Sequence, residues 1–212
     1  MQELHGVEEF TAKYARGRLE GAFEYGIIQR LIDSGWIWDE EDPTWDVALA
    51  IQVGDLTPWL STQYPDEWEK VAPAAASEEA NKRSITKLLD RIHKILQSPY
   101  SLTKVTREIS GGMLGTLKKG FSHVANGNAK FGPLVAFYPE NPLYTDAVER
   151  AQENRLRVMN QVRFDTNSTE TIDLVLLLNG IPIATIELKT DNTQSVHHAM
   201  AQYKRDRKPS DS

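Results

Sequence analysis

Residues 171–190, TIDLVLLLNGIPIATIELKT, constrain this chain more than any other stretch. Val, Ile and Leu fill two arms on either side of Asn179-Gly180, the strongest short hairpin signal in a sequence. In the first arm both alternating sets are apolar: Ile172, Leu174, Leu176 and Leu178 on one side, Val175 and Leu177 on the other. A strand of that composition is covered on both faces, so the chain must supply a layer above it and a layer below. At the open end of the hairpin lie Asp173 on the first arm and Glu187 and Lys189 on the second.

Ionisable groups at the end of such a sheet must be paired, solvated or bound to a cation, because burying one unpaired costs several kcal/mol. Glu-x-Lys alone carries little, since opposite charges at i and i+2 are common on any exposed strand, and a salt-bridged strand end facing water is the ordinary reading. The aspartate on the neighbouring arm adds to it, completing D-x(13)-E-x-K. Two carboxylates make a hard oxygen site suited to Mg²⁺, and Asp173 and Glu187 are the expected metal ligands. Lys189 can then orient or deprotonate a metal-bound water, which is chemistry suited to phosphodiester hydrolysis.

The register tests this. A strict two-residue Asn-Gly loop sets Leu178 against Ile181 and Asp173 against Ile186, with the two acids on opposite faces. A three-residue loop over 179–181 pairs Asp173 with Glu187 instead. The second register, or an equivalent bulge, is expected.

IDLVLLLNGIPIATIELKT followed by AQYKRDRKP resembles the N-terminal nuclease region of the motor-and-cleavage (R) subunit of type I restriction enzymes, a member of the PD-(D/E)xK nuclease superfamily. The resemblance runs over 154–209, where Asn154, Gln161, the hairpin and Gln202-Tyr203 fall in the family's order, and extends more weakly to LIDSGW at 31–36 and LKKGF at 117–121. It implies an α/β fold with a restriction-endonuclease-like core, a mixed sheet flanked by helices and an additional helical N-terminal part. The whole of 1–212 is then a single nuclease domain, with a Trp- and Pro-rich insertion or loop region at 36–83 and the D-x(13)-E-x-K hairpin and following helix at 154–209.

Double-stranded DNA and the methyltransferase and specificity subunits of the restriction complex are the implied partners, and Mg²⁺ or Mn²⁺ the implied cofactor. The family continues beyond Ser212 into a helicase-like translocase. The chain is therefore expected to be a fragment, inactive when isolated, with any ATP dependence belonging to motor domains absent from it. No G-x-x-x-x-G-K-[ST] occurs.

The resemblance also implies supporting residues. Arg18 to Gly35 has the spacing of a helix, with Leu19, Ala22, Phe23, Ile27, Ile28 and Leu31 as its apolar face. Glu24 on that helix reads by itself as a solvated glutamate. Nucleases of this kind often carry a glutamate on an N-terminal helix beside the metal, and Glu24 takes that place, with Glu20 second. A closing helix is expected from near Thr193 to Arg207, where Gln202 matches the family's glutamine and Gln194 is a substitute. Asp stands at 206 and the tyrosine is immediately adjacent at 203, a departure from the family's spacing. His197 and His198 point about 100° apart on such a helix and read as surface residues.

Composition bounds these readings. The chain has 212 residues, 40% of them hydrophobic, enough for a substantial core, and no cysteine, which excludes disulfides, thiolate zinc sites and cysteine nucleophiles. No stretch approaches the roughly 18 apolar residues of a membrane span, and the N-terminus has no signal-peptide pattern, so the cytoplasm is expected. Residues 1–80 hold 5 Lys and Arg against 17 Asp and Glu, whereas the rest holds 19 against 13. The basic half carries the proposed site, which suits approach to DNA and is also compatible with ordinary surface variation. A non-catalytic role, docking the motor subunit to its methyltransferase partners through the acidic, Trp-rich half, is the alternative.

Elsewhere, the five tryptophans of 36–68 read as satellite core, 71–79 as a linker or surface loop, and Ser84 as the cap of an amphipathic helix to Leu96. Gly111, Gly112, Gly115 and Gly120 read as turns. Phe131–Tyr138 reads as a strand, Thr145 as the cap of a helix to Asn154, and Arg155–Phe164 as the strand before the hairpin.

Overall fold

The structure is a computed structural model describing residues 6–14, 18–39, 43–99, 101–102, 109–125 and 127–188. Lys189, Gln194 and Gln202, and with the glutamines the expected closing helix, lie outside the described residues. In chain order the elements are α1 (Val7–Tyr14), α2 (Arg18–Asp33), β1 (Trp45–Asp46), β2 (Ile51–Gln52), α3 (Val53–Gln63), α4 (Pro65–Val71), α5 (Glu78–Gln97), β3 (Ser101–Leu102), β4 (Ile109–Ser110), α6 (Gly112–Lys119), β5 (Phe121–Ala125), β6 (Gly127–Phe131), α7 (Thr145–Gln152), β7 (Leu156–Arg163), β8 (Thr171–Leu178) and β9 (Ile181–Ile186). The described residues form a mixed α/β fold of seven helices and small antiparallel sheets.

The largest sheet has the order β7-β8-β9. Instead of a mixed sheet, the described strands pair antiparallel, and parallel pairing is confined to one bridge between Ile37 and Arg157. Strand β8 is covered on both sides, as its composition requires. Leu174 packs with Phe10, Ile28, Trp38 and Val158, which seats α1 and α2 on the sheet. Val175 and Leu177 pack with Val162 and Ile172, together with Trp45, Met159 and Phe164. Each fully buried Leu or Ile of this kind contributes about 1.5–3 kcal/mol relative to exposure.

A further core joins α3, α4, α5 and α6 to the β5-β6 hairpin. Leu56, Trp59, Leu60, Leu88, Ile92, Phe121, Phe131 and Ile181 share it, so the second hairpin arm is anchored in a helical layer. The Phe121 and Phe131 rings stack at 5.1 Å across the register pair that closes β5 onto β6.

Several local expectations are corrected. Helix α5 begins at Glu78, where the Ser77 side chain accepts from the Ala80 amide, so the cap is seven residues earlier than Ser84. Gly112 and Gly115 lie inside α6, with Gly111 and Gly120 at its ends. The strand expected over Phe131–Tyr138 ends at Phe131. Helix α7 is capped at Tyr144 and ends at Gln152; Thr145 is its first residue, and Asn154 lies just past its end, donating to the Ala151 carbonyl. The stretch 36–83 holds β1, β2, α3, α4 and the start of α5. Of its tryptophans, Trp38 and Trp59 are buried, and Trp36, Trp45 and Trp68 pack against cores.

Candidate functional site

The hairpin turn is tighter than the three-residue loop expected of it. Leu178 pairs with Ile181, and both central residues are left-handed, Asn179 at φ 51° and Gly180 at φ 81°, the pattern of a type I′ turn. Glycine is required at 180 for a second reason: a Cβ there would run into the Gln52 carbonyl and Leu56. The Gln52 amide donates to the Gly180 carbonyl at 2.9 Å. Asn179 is fully buried; its Nδ2 donates to the Leu134 carbonyl at 2.9 Å and to Asn154 Oδ1 at 3.0 Å, and its Oδ1 accepts from the Arg155 amide at 2.7 Å.

A bulge then restores the register. Leu177 pairs with Pro182 but Leu176 with Ala184, leaving Ile183 unpaired in β9. Pairing continues to Leu174 and Ile186, and the same register carried one step further would bring Asp173 opposite Glu187. Asp173 Oδ2 accepts from the Leu188 amide at 2.6 Å, which fixes the backbone between Glu187 and position 189.

Glu24 reaches the same place from the helical layer. It stands one turn before Ile28, whose side chain packs on Val158 and Leu174, so Cβ vectors four residues apart aim both at the sheet. Glu24 is 3% exposed, and Phe23, expected on the apolar face, is instead 62% exposed. The solvated reading of Glu24 is thus overturned by the rotation of α2 on the sheet. Burial pushes the Glu24 carboxyl up to about 7, against the pull of the Gln161 and Asn160 amides, with the charge of Asp173 adding a smaller upward push. Glu24 Oε1 and Asn160 Nδ2 are buried without hydrogen-bond partners. Glu20, the second choice, is half-buried in the same helix.

One residue joins these acids. Gln161 Nε2 donates to Glu24 Oε2 at 3.3 Å and lies 3.5 Å from Asp173 Oδ1. Its Oε1 accepts from Thr171 Oγ1 at 2.9 Å. Asn160 pairs with Leu174 and Val162 with Ile172, so Gln161 stands opposite Asp173, yet its φ is 50°, inside a strand. A left-handed glutamine in a strand is strained and persists only when its surroundings over-determine it. The sequence placed Gln161 in the family's order without assigning it work, because a backbone angle has no residue-type signature at glutamine.

At the other end of β7, Arg155 Nε and Arg157 Nε each stand 2.6 Å from the fully buried Asp55 carboxylate, and Arg157 also reaches Asp39 at 2.6 Å. The two guanidinium groups hold the Asp55 carboxyl below its usual value in spite of burial. This cluster, not recognised in the sequence, bolts α3 to β7 behind the turn.

Among the described residues no three acidic or imidazole side chains form a ready-made metal site. Mg²⁺ commonly takes one or two protein carboxylates and keeps its waters, and the groups present are carboxyl oxygens, one of them a buried Glu24 oxygen without a hydrogen-bond partner. The residues fit a hard divalent cation.

A family model described as type I restriction enzyme R protein N terminus matches residues 56–212. The chain belongs to this family. Membership ties this R-subunit N terminus to restriction systems, and the match covers the hairpin, β7 and Gln161. Neither the curated proteins nor the solved structures include a match to it. Among the described residues no helix is long and apolar enough to cross a membrane.

Proposed function

We infer that this R-subunit N terminus carries a Mg²⁺- or Mn²⁺-dependent endonuclease centre that cuts double-stranded DNA in the cytoplasm, on a restriction-endonuclease-like PD-(D/E)xK core. The observation that supports the reading is the bulge at Ile183: carried one step past the Leu174–Ile186 pair, the register would bring Asp173 opposite Glu187, which the turn alone would not. Asp173 and Glu187 hold the cation. Glu24, buried beside Asp173, adds a third acid at the rim, and Gln202, outside the described residues, is the further supporting residue of this reading. When bound, the cation supplies Lewis-acid stabilisation of charge on a phosphoryl oxygen. Lys189 lies one residue past the Leu188 amide that Asp173 anchors, and it would orient the attacking water through its ammonium or, as the neutral amine, take a proton from it.

The test is made in the complete restriction enzyme. Asp173→Ala and Lys189→Ala each reduce DNA cutting by at least about 100-fold while leaving the fold intact. Retained cutting removes these residues from the mechanism.

A second reading, docking to the methyltransferase and specificity subunits, draws support from an exposed aromatic segment in which Phe137, Tyr138, Leu143 and Tyr144 are 62 to 82% exposed. Trp38 and Trp59 are buried and Trp36, Trp45 and Trp68 are partly buried against the cores, so the exposed aromatics carry this reading more than the tryptophans do. Titrating the chain with Mn²⁺ separates the two: calorimetric silence with subunit binding intact favours docking.

A further inference from the structure

We propose that Gln161 is a positioning residue for the cation site, a bracket whose carboxamide holds Glu24 and Asp173 at a fixed spacing and faces the site through a strained strand position. The inference rests on the cation-binding reading above and names a residue that reading leaves idle.

Three observations converge on it. Its Nε2 stands within hydrogen-bond distance of one oxygen of each acid, 3.3 Å from Glu24 and 3.5 Å from Asp173. An amide nitrogen has two N–H groups, so both acids can be served at once, and each keeps lone pairs for a cation. Thr171 Oγ1, donating to Oε1 at 2.9 Å, selects the amide orientation that turns the nitrogen toward the acids. The backbone pays for this placement with φ 50° in the middle of β7, between the regular pairs Asn160–Leu174 and Val162–Ile172. A regular strand residue there would have no reason to leave the β region. The left-handed angle gives this side chain its aim.

Without the bracket the two acids would repel and relax apart. The long donor contacts compete only weakly with a cation, so removing them costs organisation and relieves little competition. Outer partners of this kind are worth about 10- to 100-fold in metal affinity.

The experiment is Mn²⁺ calorimetry on the 212-residue chain with Gln161→Asn, Gln161→Gly and Thr171→Val, each paired with a urea unfolding curve. Asparagine tolerates the left-handed angle but is one methylene too short to reach both acids. Gln161→Asn and Gln161→Gly are expected to unfold no earlier than the parent chain and to bind Mn²⁺ about tenfold more weakly or worse, whereas Thr171→Val shows a smaller loss in the same direction. A merely structural glutamine would move the unfolding midpoint and leave the affinity of the folded fraction alone. Unchanged or tighter Mn²⁺ binding in folded Gln161→Asn overturns the proposal. A parent chain that binds no Mn²⁺ overturns the cation reading itself, and the bracket with it.

Discussion

The Leu188 amide donates to Asp173 Oδ2 at 2.6 Å, so the acid at the start of β8 grips the residue between Glu187 and Lys189. Asp173 is therefore both a candidate ligand and a backbone clamp, and substitutions can part the two roles. Asp173→Asn keeps an oxygen for the Leu188 amide and loses the charge. It is expected to melt within a few degrees of the parent chain and to lose Mn²⁺ binding. Asp173→Ala leaves the amide unmet and costs about 1–3 kcal/mol in addition. Calorimetric titration and thermal melts of both variants check this; equal stability of the two would remove the clamp.

Glu24 gives the fold a pH dependence of definite sign. Its carboxyl titrates at about 7 in the folded chain against an ordinary value of 4.5, so the folded state holds its proton more tightly than the unfolded state. Stability from this group is full below pH 4.5 and declines as pH rises through 7. The decline amounts to at most about 3 kcal/mol, since each pH unit between the folded and unfolded values is worth about 1.4 kcal/mol. Glu24→Gln, which keeps the side chain neutral at all pH values, should flatten the difference between urea midpoints at pH 5 and pH 8. A variant with the parent's pH dependence would assign it to another group.

Gly180 should tolerate no side chain. The left-handed angle alone costs an L-residue about 1–2 kcal/mol, and the Gln52 carbonyl and Leu56 occupy the space a Cβ needs. Gly180→Ala is expected to lose about 2 kcal/mol or more in urea unfolding, whereas Gly127→Ala, with φ also positive but open space around it, should lose less. Equal losses would show that the close approach at 180 contributes nothing.

Removing Asp55 should be the most damaging single change at a polar residue. Asp55→Ala leaves Arg157, itself buried, without its bidentate partner, and breaking a buried pair from one side costs about 3–5 kcal/mol. Because the Asp55 carboxyl is held below its ordinary value, its stabilisation is present above that value and is lost as pH falls through the folded one. Asp55→Ala combined with Arg157→Met should recover much of the loss, a comparison that chemical denaturation makes directly.

The hairpin was legible because its signals are local: an Asn-Gly turn, β-branched arms and a composition that only a two-sided cover explains. The bulge was legible only as a demand of the chemistry, since Ile183 looks like any other strand isoleucine. Glu24 was assigned to the site by resemblance, but its burial was not visible, because the helix pattern put Phe23 on the covered face and tertiary packing rotated α2 away from it. Gln161 and the Asp55 cluster join residues 137 and 102 positions apart, and no spacing rule spans such distances. The misplaced cap at Ser84 had a simpler cause: the apolar stripe begins there, while the polar first turns of α5, running from Ser77, carry no stripe to read.

Ile183 has one more consequence. The chain from the turn to Glu187 is one residue longer than the chain from Asp173 to the turn, and the unpaired Ile183 absorbs that difference, so the ladder resumes at Leu176–Ala184 and runs to Leu174–Ile186. Drawing Ile183 into the ladder would slide the arm by one and set Asp173 against Ile186, whereas deleting it would leave a regular hairpin in which Leu176 still meets Ala184 and Leu174 still meets Ile186.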